Sequence, residues 1–510
     1  MYVHPFKEKW ILHFIAIDIG TTSCKAAIFN HRGHLLDAER TSYPLYFDSS
    51  TCEQDPKIWW KSACEASKSV MRKANLSGTE IDAVTCTGQF PSFVCLDKNL
   101  EPVRPAIIYS DGRATRESQE IISKIGLRRV SRRMGLPLCF LPTLPLAKLI
   151  WLRRNEPNVF RQIRICLGAK DFINLKLTGQ TKTDFLEAWW TGAADVHSKS
   201  WSNDTLASLK IPRDLFPAID PASAVVGYVS VEAAKQTKLA PGIPVMVGSV
   251  DGMCTMMGAG ATVPGTFIDS GGATEIMGSL TRKKLPSSIG DTIFSWDYDE
   301  DLRIVYTSTA SSGLALQWYR DTFLRGLLQK SYREIDTYAK RKMPNPNEIF
   351  FLPHLTGEFS PFYDTSAKAA IVGLSLTHDW IDVYRAILEG VAFSIRQNIE
   401  IYSTIGLHID KIVAVGGAAQ SALWNQIKAD VTGLPVETRA VYDTGCLGAS
   451  ILAAVGIGLH SNVSEAAGNM TQLKQIFRPN IKNVKKYTPR FQIYSRLYPS
   501  LKDRFKEMQT

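Results

Sequence analysis

Two short turns in this 510-residue sequence combine glycine with hydroxyl side chains, each beginning at an aspartate. The first runs from Asp18 to Ser23 (DIGTTS) and the second from Asp269 to Thr274 (DSGGAT). The backbone N–H groups and hydroxyls of such turns can approach a phosphate closely, because no bulky side chain shields them. Either turn alone is equally compatible with an ordinary tight hairpin. Their recurrence after Asp-x-Gly favours phosphate binding.

A third aspartate, Asp251, is predicted to end a buried strand and is followed by Gly252. A carboxylate in this place can act as a base toward a bound ligand. The same residue could instead cap a helix over residues 253–260. Local sequence does not decide between these two interpretations.

Gly416 and Gly417 follow another apolar run and precede a predicted helix that starts at Ser421. Glycines at such a junction let a planar ligand, such as adenosine, approach the backbone. The alternative is close packing of the helix on the strand. The chain contains no G-x-x-x-x-G-K-[ST] motif, so it does not bind phosphate as a P-loop protein does.

Apolar runs predict the strands that would carry these residues, over 11–17, 24–29, 81–85, 245–250, 266–269 and 412–415. Apolar side chains at helical spacing predict helices over 55–73, 379–401 and from 421 to about 432, the last ended by Gly433. Strands that alternate with helices predict an α/β fold with mixed sheets flanked by helices.

The two aspartate turns repeat one pattern, an apolar strand followed by Asp-x-Gly and then small and hydroxyl residues. This repeat predicts two related domains with a boundary near residue 260. We therefore expect an N-terminal domain over 11–260 and a C-terminal domain over 261–478. Residues 479–510 are basic, show little periodicity and are expected to form a tail.

The composition narrows the functional classes. The formal net charge is +10, but the basic residues are scattered in short pairs without a zinc-finger or RNA-recognition pattern, so nucleic-acid binding is not expected. The nine cysteines form no C-x-x-C pair, which indicates reduced thiols and a cytoplasmic protein. No apolar stretch reaches the roughly 20 residues needed to span a bilayer, so no membrane partner is expected.

Several segments, in this order, resemble the FGGY family of carbohydrate kinases, of the actin/hexokinase-like ATPase superfamily. The similar segments are Asp18–Ser23, Glu53–Trp60 (EQDPKIWW), Pro145–Leu152, Ala369–Glu389 and Gly416–Trp424. The resemblance implies two actin-like, ribonuclease H-like domains, each with a mixed sheet flanked by helices, and a cleft between them. It also implies ATP-dependent phosphorylation of a hydroxyl of a small sugar, polyol or sugar acid, with Mg²⁺ as the metal, in a protein that is often a homodimer.

The resemblance further implies roles for individual residues. Asp251 corresponds to the catalytic base and Asp18 to the residue that orients Mg²⁺, while Gln89 and Asp111 would contact the sugar together with Asp251. The remaining residues would bind ATP: Thr21, Thr22, Ser23, Gly271, Gly272 and Thr274 at the phosphates, and Gly416, Gly417, Ser421 and Asn425 at the nucleoside.

Some substrate-facing positions depart from the family pattern. Xylulose kinases of the family carry Gln-Met-His-Gly where this chain has Gln89-Phe90-Pro91-Ser92, so the histidine is replaced by proline. Ser110 stands where many members have asparagine, and Gly252 where many have asparagine or glutamine. These differences place D-xylulose in question and suggest a divergent substrate.

Three other hypotheses remain at this point. The chain could be an actin-like ATPase whose nucleotide state regulates a partner, or a catalytically impaired relative that senses sugar or nucleotide. The charge alone suggests the third, a nucleic-acid-binding protein. Acceptor-dependent ATP turnover separates the kinase from the first two, and salt-dependent binding to DNA or RNA would identify the last.

Overall fold

The computed structural model describes residues 11–48, 51–130, 134–135, 138–286, 288–290, 292–299, 301–324, 331–341 and 348–508. The chain divides into two compact units. Unit 1 comprises Met1–Gly260 and Thr444–Thr471, and unit 2 comprises Ala261–Asp443 and Gln472–Thr510. The linear division predicted above differs from this arrangement, because residues 444–471 belong to unit 1.

The N-terminal part of unit 1 contains fifteen strands and ten helices among its described residues. The strands are β1 (His13–Ile19), β2 (Ser23–Asn30), β3 (Leu35–Ser42), β4 (Tyr46–Asp48), β5 (Thr51–Gln54), β6 (Ala83–Gly88), β7 (Phe93–Leu96), β8 (Ala106–Ile107), β9 (Ile165–Gly168), β10 (Lys182–Thr183), β11 (Ala194–Asp195), β12 (Ser200–Trp201), β13 (Ala218–Ile219), β14 (Val225–Tyr228) and β15 (Pro244–Val250). The helices are α1 (Pro56–Lys73), α2 (Thr115–Ile125), α3 (Leu127–Arg129), α4 (Pro145–Asn155), α5 (Pro157–Phe160), α6 (Ala169–Thr178), α7 (Phe185–Trp190), α8 (Asn203–Leu209), α9 (Val231–Thr237) and α10 (Asp251–Gly258).

Unit 2 contains ten strands among its described residues. They are β16 (Thr266–Gly271), β17 (Glu275–Thr281), β18 (Ser288–Ile289), β19 (Ile293–Asp299), β20 (Leu302–Thr309), β21 (Phe350–Leu352), β22 (Ala370–Val372), β23 (Lys411–Val415), β24 (Val436–Arg439) and β25 (Leu473–Phe477). Its first helices are α11 (Gly313–Phe323), α12 (Tyr332–Arg341), α13 (Trp380–Thr404) and α14 (Ala422–Thr432). The chain then forms α15 (Thr444–Gly456) and α16 (Val463–Met470) in unit 1, and it ends with α17 (Ile481–Glu507) in unit 2.

The central sheets of the two units share one topology, as the repeated aspartate turns predict. The six-stranded sheet of unit 1 has the order β14-β15-β6-β1-β2-β3, and the corresponding part of the eight-stranded sheet of unit 2 reads β25-β24-β23-β16-β17-β20. In each sheet an antiparallel three-stranded meander is followed by two strands parallel to the first. The sheets are therefore mixed and flanked by helices, which confirms the predicted α/β fold.

Local sequence explains where the main helices begin and end. Asp55 caps α1 by accepting a hydrogen bond of 2.9 Å from the N–H of Lys57, and Asp379 and Asp382 form a capping box at the start of α13. Gly433 adopts a φ of 74° after α14, so it ends the helix in the left-handed conformation that favours glycine.

Helix α15 is apolar on all sides and packs against α10, β1 and β6 in unit 1. Glycines permit this close packing of α15 on α10. A Cβ at Gly448 would lie 1.8 Å from the carbonyl oxygen of Cys254, and a Cβ at Gly258 would lie 2.0 Å from that of Thr444. The apolar sequence of α15 predicts burial, but it does not identify the sheet against which the helix packs.

The expected C-terminal tail is instead the helix α17, so that prediction was wrong. Tyr487, Phe491 and Tyr494 are buried along one face of α17. Their spacing of four and three residues is helical, and their burial offsets the hydrogen bonds lost at Pro489 and Pro499 within the helix. Unit 2 therefore uses this basic segment as part of its core.

Two further observations concern the chain as a whole. The eight cysteines whose side chains are described are all free thiols, and the side chain of Cys139 lies outside the described residues. No helix in the described part of the chain has the length and hydropathy of a membrane-spanning segment.

Candidate active site

The candidate residues of unit 1 meet at one edge of its central sheet. Strands β1, β6 and β15 are parallel neighbours, with Asp18 paired with Thr87, and Thr87 paired with Ser249. Asp18 lies near the carboxyl end of β1, Gln89 follows β6 and Asp251 follows β15. In open α/β sheets, ligands bind beyond the carboxyl ends of the parallel strands.

Hydrogen bonds from neighbouring elements fix the turn at residues 20–23. The N–H of Gly20 donates to the carbonyl oxygen of Ser23 at 3.0 Å, and the N–H of Tyr43 donates to that of Thr22 at 3.0 Å. The side-chain amide of Gln54 donates to the carbonyl oxygen of Thr21. Thr21 is half-buried, Thr22 is exposed and Ser23 is buried, so this turn presents Thr22 to solvent on a fixed backbone.

Asp251 is half-buried, and it is the first residue of α10 rather than its cap, since Val250 occupies the cap position. Its Oδ1 atom accepts a hydrogen bond of 2.7 Å from the N–H of Gly252. Burial, and secondarily the negative charge of Asp18, raise the pKa of Asp251 to about 8. This carboxylate can therefore gain or lose a proton near neutral pH.

Gln89 belongs to a buried chain of side-chain amides. Its Nε2 atom donates to Oε1 of Gln54 at 2.7 Å, and that oxygen also accepts from the indole of Trp59 at 3.0 Å. The Oε1 atom of Gln89 is buried without a hydrogen-bond partner among the described residues. Gln54 thus links Gln89 to the turn at Thr21, a role that the sequence did not reveal.

Asp111 is fully buried, and both of its carboxylate oxygens are engaged. The guanidinium of Arg113 contacts them at 2.6–3.0 Å, and the N–H of Cys52 donates to Oδ2 at 2.6 Å. Arg113 also bonds Glu53 at 2.6 Å. In this arrangement Asp111 orients Arg113 and does not itself reach solvent.

In unit 2, two backbone turns and the start of helix α11 meet around Gly271. A Cβ at Gly271 would lie 2.4 Å from the Cβ of Ala418, and a Cβ at Gly416 would lie 2.7 Å from the carbonyl oxygen of Gly271. The N–H of Gly313 donates to the carbonyl oxygen of Gly272 at 3.0 Å. The predicted phosphate turn and the predicted nucleoside turn are therefore adjacent, and the start of α11 at Gly313, which the sequence analysis missed, contacts the first of them.

Surfaces of these turns remain open. Gly272, Thr274 and Gly417 are exposed. Ligand atoms can therefore approach the backbone there, and the glycines allow this because they carry no side chain.

The aspartate of the second turn differs in its environment from that of the first. Asp269 is fully buried, and its Oδ2 atom lies 2.5 Å from Nζ of Lys428, which also contacts Glu275 at 3.2 Å. Asp18, at the equivalent place in unit 1, is half-buried. The repeat therefore keeps the aspartate in both units, and the one in unit 2 is fully buried and paired with Lys428.

Ser421 lies just before α14, and Asn425 lies on the first turn of that helix. Ser421 caps the helix by accepting from the N–H of Trp424 at 3.0 Å, and its hydroxyl donates to Asp336 at 2.6 Å. The amide of Asn425 donates to the carbonyl oxygen of Ala419 at 2.8 Å, whereas its buried Oδ1 atom has no partner in the described part of the chain.

Among the described residues, no group of three or more His, Cys, Asp or Glu side chains could hold a metal ion. Mg²⁺ is commonly held by one or two carboxylates together with substrate phosphates and water. The donor set at this edge of the sheet, with Asp18 as the candidate carboxylate, fits that mode of binding.

Comparisons with known proteins agree with this geometry. The N-terminal domain of the FGGY family of carbohydrate kinases matches residues 13–258, and the C-terminal domain of the family matches residues 270–457. The chain is 27% identical over 494 residues to a xylulose kinase of Bacillus subtilis, which covers 96% of this chain and 97% of that protein. It is also 26% identical over 455 residues to a gluconokinase of Bacillus licheniformis, with 88% of each chain covered.

A solved structure shows the same fold. The crystal structure of xylulose kinase from Rhodospirillum rubrum superimposes with a TM-score of 0.85 and 27% identity, covering 97% of this chain and all of that one. The two units thus have the actin-like fold that the sequence predicts. This chain belongs to the FGGY family of carbohydrate kinases, and it is an ATP-dependent phosphotransferase that acts on a hydroxyl of a sugar.

Proposed function

We propose that Asp251 is the general base that accepts the proton of the attacking sugar hydroxyl. The observation that supports this role is its position at the end of β15, half-buried near Asp18, with a pKa raised to about 8. A carboxylate whose pKa lies near the working pH is a more effective base than an ordinary surface aspartate.

In the proposed reaction the acceptor oxygen forms a bond to the γ-phosphorus of ATP while its proton moves to the carboxylate of Asp251. The bond between the γ-phosphorus and the bridging oxygen breaks, and ADP leaves. Phosphoryl transfer requires mainly alignment and charge stabilisation from the protein. In unit 1, Thr21, Thr22 and Ser23 would bind phosphate, and in unit 2 Gly271, Gly272 and Thr274 would do so.

Asp18 would hold Mg²⁺, which offsets phosphate charge when it is bound. Its position supports this choice, because Asp18 is half-buried near the carboxyl end of β1, where its negative charge acts on Asp251. Hard oxygen ligands of this kind match the preference of the ion.

The adenosine would lie against the junction of β23 and α14. Gly416 and Gly417 provide close access to the backbone, and the unpartnered Oδ1 of Asn425 can accept a hydrogen bond from an amino group. Ser421 would contribute by fixing the start of α14 rather than through its hydroxyl, which is already engaged.

We infer that the acceptor is a small sugar, polyol or sugar acid, and the names of the xylulose kinase and gluconokinase relatives support this class. Gln89 offers an unpartnered amide oxygen to it, and Asp111 would act through Arg113. Phe90, Pro91 and Gly252 supply no side-chain hydrogen bond, so D-xylulose itself is not the expected best substrate.

The test measures ADP release and the mass of the phosphorylated product with MgATP and a panel of ketoses, alditols and aldonic acids. We expect one acceptor class to raise ADP release at least tenfold over the rate with ATP alone and to gain one phosphate. If the protein binds MgATP but no acceptor is phosphorylated across the panel, the proposed acceptor class is wrong.

A further inference from the structure

Strand β15, which leads directly into Asp251, is irregular near its end. The register of β15 against β6 shifts between Met246 and Ser249, and Gly248 has a φ of 75°. A Cβ at Gly248 would lie 2.0 Å from the carbonyl oxygen of Cys86. Such a bulge redirects the end of a strand and interrupts its ladder. The position of Asp251 therefore depends on contacts other than regular strand pairing.

Side chains supply those contacts on both sides of the bulge. Before Gly248, the amide of Asn174 on α6 donates to the carbonyl oxygen of Val247 at 2.8 Å. After it, the hydroxyl of Thr87 donates to the carbonyl oxygen of Ser249 at 2.8 Å, and the hydroxyl of Ser249 donates to Oδ2 of Asp184 at 2.8 Å. Ser249 is thus held through both its backbone and its side chain, two residues before Asp251.

Asp184 is itself held by a buried ion pair. Its Oδ1 atom lies 3.0 Å from Nζ of Lys170, and its Oδ2 atom also accepts from the N–H of Leu186 at 3.3 Å. Nζ of Lys170 contacts Asp171 at 2.5 Å as well. The side chain of Lys170 has no exposed surface, and that of Asp184 is 5% exposed.

Buried ion pairs of this kind contribute little net stability, because desolvation cancels most of their attraction. In some proteins such a buried pair instead fixes one geometry among several. Here the ion pair is connected to the candidate base through one hydroxyl, since Lys170 orients Asp184 and Asp184 orients Ser249.

We propose that Lys170, Asp184 and Ser249 are positioning residues that fix the end of β15 so that Asp251 meets the acceptor hydroxyl in line with the γ-phosphate. This inference rests on the proposed role of Asp251 as the base. The three residues act through Asp251, and the reaction depends on them because misplacement of a reacting group by about 1 Å can cost about 100-fold in rate.

The test compares steady-state kinetics of Ser249→Ala, Asp184→Ala and the double variant in the full-length protein, with the best acceptor of the panel and MgATP. We expect Ser249→Ala to lower kcat about 10- to 100-fold while both KM values stay within about twofold. The double variant should lose no more than the worse single variant, because both changes break the same connection. Ser67→Ala is the matched control, since Ser67 is a buried serine on α1 whose hydroxyl has no partner among the described residues.

Asp251→Asn separates failure of this inference from failure of the proposed function. If Asp251→Asn abolishes acceptor-dependent turnover and Ser249→Ala keeps kcat within twofold of the wild type, the positioning role is overturned while the base remains. If Asp251→Asn retains turnover, the proposed function itself is overturned. If the fold-loss of kcat in the double variant equals the product of the losses in the two single variants, Asp184 and Ser249 act separately. That result also contradicts the inference.

Discussion

Replacement of Asp251 by asparagine should stabilise the protein at alkaline pH although it removes the base. Burial and the charge of Asp18 raise the pKa of this carboxyl to about 8, compared with about 3.9 in an unfolded chain. Between these two values the folded state holds a proton that the unfolded state has lost. The free energy of unfolding therefore falls as the pH rises from about 4 to about 8 and is constant above that.

The size of the effect follows from the pKa difference. At about 1.4 kcal/mol for each pKa unit, full ionisation would cost the folded state about 6 kcal/mol. Asp251 is half-buried, and contact with solvent reduces the cost to about 2–4 kcal/mol. The amide introduced by Asp251→Asn would carry no charge and would keep an oxygen to accept the hydrogen bond from Gly252.

The assay is thermal unfolding of both proteins at pH 5, 7 and 9 without nucleotide or metal. At about 2 °C for each kcal/mol in a unit of this size, Asp251→Asn should melt about 4–8 °C above the wild type at pH 9, and about 2 °C or less above it at pH 5. Asp214→Asn is the control, because its side chain is 67% exposed, and it should show no such trend. A Tm difference for Asp251→Asn that is the same at pH 5 and pH 9 would refute the reasoning.

Three other substitutions test the structure in unit 2. Gly271→Ala places a Cβ 2.4 Å from that of Ala418, whereas the nearest atom to a Cβ at Gly445, which lies outside the candidate site, is 3.7 Å away. Calorimetry should show ATP binding weakened at least tenfold in Gly271→Ala and less than threefold in Gly445→Ala. Equal losses would contradict the packing of the turns. Lys428→Met leaves Asp269 and Glu275 buried without their cation. Urea unfolding should therefore show a free energy of unfolding that is lower by about 3–5 kcal/mol. An unchanged midpoint would mean that Lys428, Asp269 and Glu275 are not ionised. Phe491→Ala should lower the free energy of unfolding by about 3–5 kcal/mol in the same assay. The control is Gln492→Ala, at an exposed position of the same helix, which should cost less than about 0.5 kcal/mol. A similarly small loss for Phe491→Ala would show that α17 is not part of the core.

Local sequence patterns predicted individual strands, helices and helix ends, together with the relation between the two sheets. The apolar runs before Asp18 and Asp269 predicted β1 and β16, and the repeat of the two turns predicted the shared topology of the sheets. The apolar stripe of α13 and the glycine that ends α14 were likewise confirmed. In each case the signal lies within about twenty consecutive residues, where periodicity and capping are informative.

Contacts between distant residues could not be predicted in this way. Lys170, Asp184 and Ser249 are adjacent only because α6, α7 and β15 pack together, and no short-range pattern joins them. The return of α15 to unit 1 depends on close approach at Gly258 and Gly448. Helix α17 was missed because two prolines and many basic residues obscure the aromatic stripe at Tyr487 and Phe491.

The central claim is that Asp251 acts as the base, and phosphoryl transfer by Asp251→Asn tests it most directly. The measurement is a single-turnover transfer from MgATP to the best acceptor, together with the Kd of MgATP for the same protein. The account predicts a rate about 1,000-fold below that of the wild type, with the Kd unchanged within threefold. A transfer rate within tenfold of the wild type would contradict it.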